Sequence, residues 1–112
     1  MRAMEEPGVQ PVVTVFRSRL RPGVEEEFHL LAARIEARAR ATPGFVDFKT
    51  FTAPDGERVS VVVFDSPRSH DAWRDDPEHR AAQELGRERF YAEYDITVAD
   101  QRRRRRFGAA GD

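Results

Sequence analysis

A chain of 112 residues is long enough for one hydrophobic core and too short for two. It has no cysteine, which excludes disulfides, thiolate chemistry and cysteine metal sites and removes one argument for export. The formal net charge of −1 hides an uneven distribution: residues 1–101 balance to −5, while residues 102–112 carry five arginines and one aspartate. An acidic folded part without interleaved basic and aromatic residues argues against a nucleic-acid partner, so Arg102 to Arg106 read as a solvated tail. No apolar run approaches the roughly 20 residues that span a bilayer. The start M-R-A-M-E-E-P-G lacks the hydrophobic centre of a signal peptide, so a cytoplasmic setting is the expectation.

In chain order, residues 1–11 read as a flexible N-terminal segment, residues 12–101 as the folded domain, and residues 102–112 as the Arg-rich tail. Val12 to Leu20 alternates as a strand, with Val13, Val15, Arg17 and Arg19 on one parity and Thr14, Phe16, Ser18 and Leu20 on the other. Val24 to Ala41 is a helix, its apolar stripe formed by Val24, Phe28, Leu31, Ile35 and Ala39. His29 misses that stripe and reads as a solvated residue. Thr42-Pro43-Gly44 stops the helix. A second strand, Phe45 to Ala53, turns at Asp55-Gly56 into a third, Arg58 to Asp65. In the second strand, Asp47 and Lys49 share one parity, and Val46, Phe48 and Thr50 the other. The third is so apolar that both of its faces must be covered.

Ser66-Pro67 opens a short helix carrying Trp73, and Asp75-Asp76-Pro77 bends the chain into a further helix over Glu78 to Phe90. Proline fits a first helical turn because no N–H is needed there, and Ser66 and Asp76 are suitable caps. Such a bend can bring Trp73 and His79 to a shared space. The alternatives are that Trp73 fills the core and that His79 is a surface residue of a first turn. His70 and Asp71 read as helix-start or surface groups, and with His79 they form no same-face metal trio. Gly86 either permits close approach of a neighbour or weakens the helix. Tyr91 to Ala99 is the last strand, with Ala92, Tyr94, Ile96 and Val98 on one parity.

The order strand, helix, strand, strand, helix, strand predicts a ferredoxin-like split βαβ fold, α+β in class, with helices on one face of a four-stranded antiparallel sheet. The open face then needs a second copy, which predicts a homodimer. Arg17, Arg19, Asp47, Lys49, Glu93 and Asp95 are candidates for an ionic network on that face.

From Val12 to Ala99 the chain resembles the antibiotic biosynthesis monooxygenase domain family, a branch of the dimeric α/β-barrel superfamily. The resemblance rests on V-F-R-S-R-L-R-P-G, T-P-G-F-V-D-F-K, D-G-E-R-V, A-W-R-D-D-P-E-H-R-A-A-Q and G-R-E-R-F-Y-A-E-Y. It implies a pocket between sheet and helices involving Phe16, Trp73, His79, Gln83 and Tyr91, with Phe28 and Leu31 as apolar wall. The haem-degrading branch places an Asn on strand one and a ligand His after the Trp. Here those positions are Phe16 and Gln83, which disfavours haem.

The resemblance therefore points to a cofactor-independent monooxygenase acting on a small aromatic phenol, quinol or polyketide-like molecule, with molecular oxygen as co-substrate. His79 would be the base, Trp73 and Phe16 the ring contacts, and Gln83 with Tyr91 the polar orienters. Two alternatives stay open: a non-enzymatic ligand-binding or structural dimer, and an isomerase or cyclase of a small aromatic metabolite.

Overall fold

The computed structural model describes residues 10–108. Its elements are β1 (Val12–Leu20), α1 (Glu25–Ala41), β2 (Phe45–Thr52), β3 (Arg58–Phe64), α2 (Pro67–Arg74), α3 (Pro77–Leu85) and β4 (Tyr91–Asp100). The strands form one antiparallel sheet in the order β2-β3-β1-β4, the expected ferredoxin-like α+β arrangement. Residues 1–9 of the expected N-terminal segment and residues 109–112 of the expected tail lie outside the described residues.

Local chemistry explains where the elements begin and end. The Ser66 side chain accepts from the Ser69 N–H, and Asp76 accepts from the His79 N–H at 2.9 Å, so each cap stands one residue before its helix-opening proline. Gly44 reverses the chain after α1 at φ +92°, where its carbonyl accepts from the Asp65 N–H. A Cβ at Gly44 would also collide with Ser69.

The helix expected over Glu78 to Phe90 is shorter than its sequence pattern. It stops at Leu85, and a single π-helical turn, Gly86–Phe90, leads into β4. Gly86 is where the chain needs the room: a Cβ there would lie 2.5 Å from the Tyr91 ring. Of the two readings of this glycine, close approach is the one the packing bears out.

Two irregularities reset strand parity. Val46 drops out of the β2–β3 register, so Phe45 and Phe48 both face the helices while Val46 is exposed. Parity alone had grouped Val46 with Phe48; the bulge separates them. At the other edge the β1–β4 register skips Ala92, which turns Tyr91 toward the helices along with Tyr94.

The two sheet faces differ. Under the helices, Val62, Phe64, Trp73 and Ala39 form one core cluster, and Phe28, Leu31, Phe90 and Tyr91 form another. Ile35 packs against both. On the open face, Val13, Val15, Val59, Val61 and Val63 are only half-buried. The ionic groups there pair differently from the expected set. Arg17 makes two 2.9 Å bonds to Glu57, and Arg19 reaches Asp55 at 2.8 Å and Glu93 at 3.4 Å. The acids thus come largely from the β2–β3 turn, while Lys49 lies over the Phe51 ring.

Candidate active site

Between the two core clusters lies a cavity of about 520 Å³. Its floor is the helix-side face of the sheet, and α1, α2 and α3 roof it. The floor is not uniformly apolar: Thr14, Ser18, Thr50 and Ser60 interrupt Phe16, Phe48 and Val62. The hydroxyls of Thr50 and Ser60 bond each other at 2.7 Å across β2 and β3. Thr14 is buried, and its Oγ1 has no partner among the described residues.

At the α2–α3 end of the cavity, the bend places Trp73 and His79 in contact, with ring centroids 4.2 Å apart and planes 35° from parallel. Both are buried, Trp73 at 6% exposure and His79 at 4%. The surface reading of His79 is therefore excluded. Trp73 does both things expected of it, packing on Phe64 at 5.3 Å while lining the cavity. Trp73 Nε1 and His79 Nδ1 are buried without a partner among the described residues. Orphaned polar atoms of this kind cost roughly 1–3 kcal/mol each and call for an explanation.

His79 is held by its main chain. Asp76 takes its N–H and is gripped in turn by Arg38 of α1, Nη2 to Oδ1 at 2.6 Å, so α1 fixes the start of α3. The Arg38 guanidinium and the capped N–H hold the Asp76 carboxyl below its ordinary range. Burial pushes the His79 imidazole below 6.5, against smaller opposing effects from the Arg74 main chain and Asp76. Burial thus favours the neutral form of the ring.

The other end is built on Tyr91. Its ring meets Phe16 edge-on at 5.4 Å and Phe28 at 5.6 Å. Burial pushes its phenol up to about 12, opposed by the nearby Arg58 charge, so it stays protonated near neutrality. Gln83 lines the same cavity from α3.

Of the residues expected at the site, Phe16, Phe28, Trp73, His79, Gln83 and Tyr91 all line this one cavity. Leu31 does not. It turns toward α3 and lines a small separate cleft with Ala81, Ala82 and Leu85. The reason is helical geometry: Phe28, Ala32 and Ile35 share the sheet-facing side, and Leu31 sits around the cylinder from them. His70 is a second correction. It is 6% exposed, lines the cavity and bonds Asp71 at 3.0 Å rather than standing at the surface. Its spacing of three from Trp73 was the available signal, since i and i+3 share a helix face. His29 is exposed, at the cavity's edge. Among the described residues no three His, Asp or Glu side chains are grouped to hold a metal ion.

A bent helical arm over an antiparallel ferredoxin-like sheet, with an aromatic cavity between them, defines a small ferredoxin-like α+β protein. Within that class the chain belongs to the antibiotic biosynthesis monooxygenase family, whose model matches residues 11–85. It is 31% identical over 97 residues to the uncharacterized protein YqjZ of Bacillus subtilis, covering 87% of this chain and 85% of that protein. Its fold is similar to SnoaB of Streptomyces nogalater, a cofactor-independent oxygenase (TM-score 0.72, 20% identity, 85% and 96% of the two chains). It is also similar to Rv0793 of Mycobacterium tuberculosis (TM-score 0.71, 22% identity, 80% and 92%). At these identities the solved structures establish the shared fold.

Proposed function

We propose that this protein is a cofactor-independent monooxygenase of a small phenol or quinol. The observation that carries this reading is the neutral, buried His79 stacked on Trp73 in the wall of a 520 Å³ aromatic cavity. A neutral imidazole can take the phenolic proton, and the resulting phenolate is electron-rich enough to react with dioxygen. The balance needs no outside reductant. A phenol with a free position para to its hydroxyl, plus one O₂, gives a quinone and one water, all electrons coming from the substrate. Trp73 and Phe16 would hold the ring, while Gln83 and the protonated Tyr91 donate to substrate oxygens. That SnoaB is described as cofactor-independent supports a scheme without haem, flavin or metal.

In this reading residues 12–101 are the catalytic domain of a cytoplasmic homodimer joined through the valine-rich open face, with residues 102–108 as a solvated segment beyond it. No described helix is long and apolar enough to cross a membrane. The test is a screen of phenols and quinols with and without oxygen, reading product mass and oxygen uptake. Wild type should consume one O₂ per product, Trp73→Phe should retain part of the rate, and His79→Ala should lose about 100-fold or more. A wild-type protein that consumes no oxygen across the panel overturns the reading.

One feature favours a second reading, ligand binding without chemistry: no carboxylate orients the His79 ring through Nδ1 among the described residues. Saturable binding with no product in either atmosphere would select it. A product of unchanged mass formed without oxygen would select an isomerase or cyclase instead.

A further inference from the structure

Arg58 is the first residue of β3, paired in register with Ser18 on the helix-side face. Its side chain enters the cavity wall with the guanidinium over the Phe28 ring, 5.1 Å from the centroid. Several other arginines are paired with acids: Arg17 with Glu57, Arg38 with Asp76, Arg89 with Glu27. Arg58 has no carboxylate within ion-pair distance among the described residues, although it is half-buried. A planar guanidinium fork partly withdrawn from water beside an aromatic face is incompletely compensated by that ring alone. A bound anion would complete it.

Its position says which part of a ligand that anion is. Trp73 packs beside Val62 and Phe64, so the His79–Trp73 pair stands over the far end of β3. Val62 stands four positions beyond Arg58 along β3, on the order of 13 Å of floor. We infer that the substrate is an aromatic acid, with its carboxylate held by Arg58 at one end of the cavity and its phenolic ring presented to His79 and Trp73 at the other. Tyr91, beside Arg58 and still protonated, supplies a second donor to the same carboxylate. Thr14, Ser18 and Ser60 offer hydroxyls along the floor between the ends. The inference rests on the phenol reading for the His79 end only; the anion anchor stands on Arg58.

Calorimetric titration under nitrogen separates binding from turnover. The probes are 4′-hydroxybiphenyl-4-carboxylate and its neutral carboxamide, which share shape and differ in charge at one end. Wild type should bind the acid about tenfold more tightly than the amide. Arg58→Met should erase that preference, Arg58→Lys should keep part of it, and His79→Ala should keep all of it. No measurable binding of the acid, equal affinity for acid and amide in wild type, or a preference that survives Arg58→Met overturns the inference. Since the wild-type comparison needs no variant, a poorly folding Arg58→Met protein leaves the test intact. An acid preference that depends on Arg58, in a protein that consumes no oxygen, keeps the anchor and removes the oxygenase. Oxygen uptake without an acid preference does the reverse.

Discussion

The helix-covered face of the sheet and the open face both carry β-branched and aromatic side chains, but they bury them differently. Under the helices the packing is deliberately incomplete. Two aromatic clusters stand apart, hydroxyls occupy floor positions between them, and three buried polar atoms lack partners among the described residues. On the open face the valines form a continuous patch fringed by Arg17, Arg19 and their acidic partners, with no element among the described residues above it. A face that lacks a cover asks for another protein surface, whereas a face that is covered yet hollow asks for a small molecule. The distinction lies in where the empty volume sits, since apolar content alone does not separate the two.

The open face is the more sensitive of the two to a single charge. Val15→Glu places a charge in the middle of the valine patch, between Val61 and Thr97. It should convert the proposed dimer to monomer in analytical ultracentrifugation while leaving the cavity's ligand affinity measurable; a dimer that persists would place the subunit interface elsewhere. The next largest effect belongs to the covered face. Gly86→Ala drives a methyl into the Tyr91 ring and should cost about 1–3 kcal/mol in urea unfolding. It should also weaken ligand binding by displacing Tyr91.

Thr14→Val works in the opposite direction. Replacing an unpartnered buried hydroxyl by a methyl of similar shape should stabilise the protein by about 1 kcal/mol. If the floor hydroxyls serve a ligand, the same change should reduce affinity. Greater stability with unchanged affinity would make Thr14 a packing residue only.

The smallest effect is the pH dependence from His79. Its folded value is depressed by burial, so the unfolded chain, titrating near 6.5, binds the proton more readily. The stabilisation is fully present above about 6.5 and is lost as pH falls toward the folded value. His79→Gln should flatten that acidic limb of the stability profile. The limb surviving in the variant would assign it to another group.

Most of the fold was legible because its signals are local. The cap-proline pairs Ser66-Pro67 and Asp76-Pro77, the Asp55-Gly56 turn and the alternation of β1 each specify their element within a few residues. The site was legible only where a local signal coincided with it, as at the bend that joins Trp73 to His79. Arg58 was not recognisable as a cavity residue, because a charge at the start of a strand acquires a face only once its register with Ser18 is set. Tyr91 shows the converse. Strand parity alone puts it with Glu93, and the skipped residue Ala92 turns it inward. Leu31 belongs to the right helix stripe but to the flank that meets α3, a distinction that depends on where a second helix packs.

The contact between Trp73 and His79 has a practical side. The chain contains a single tryptophan, and that indole lies against an imidazole whose protonation burial opposes. A charged imidazole quenches an indole it touches, so the emission of the unmodified protein should dim as His79 gains its proton. The molecule thus carries an optical gauge of its own proposed base, readable without label or substrate.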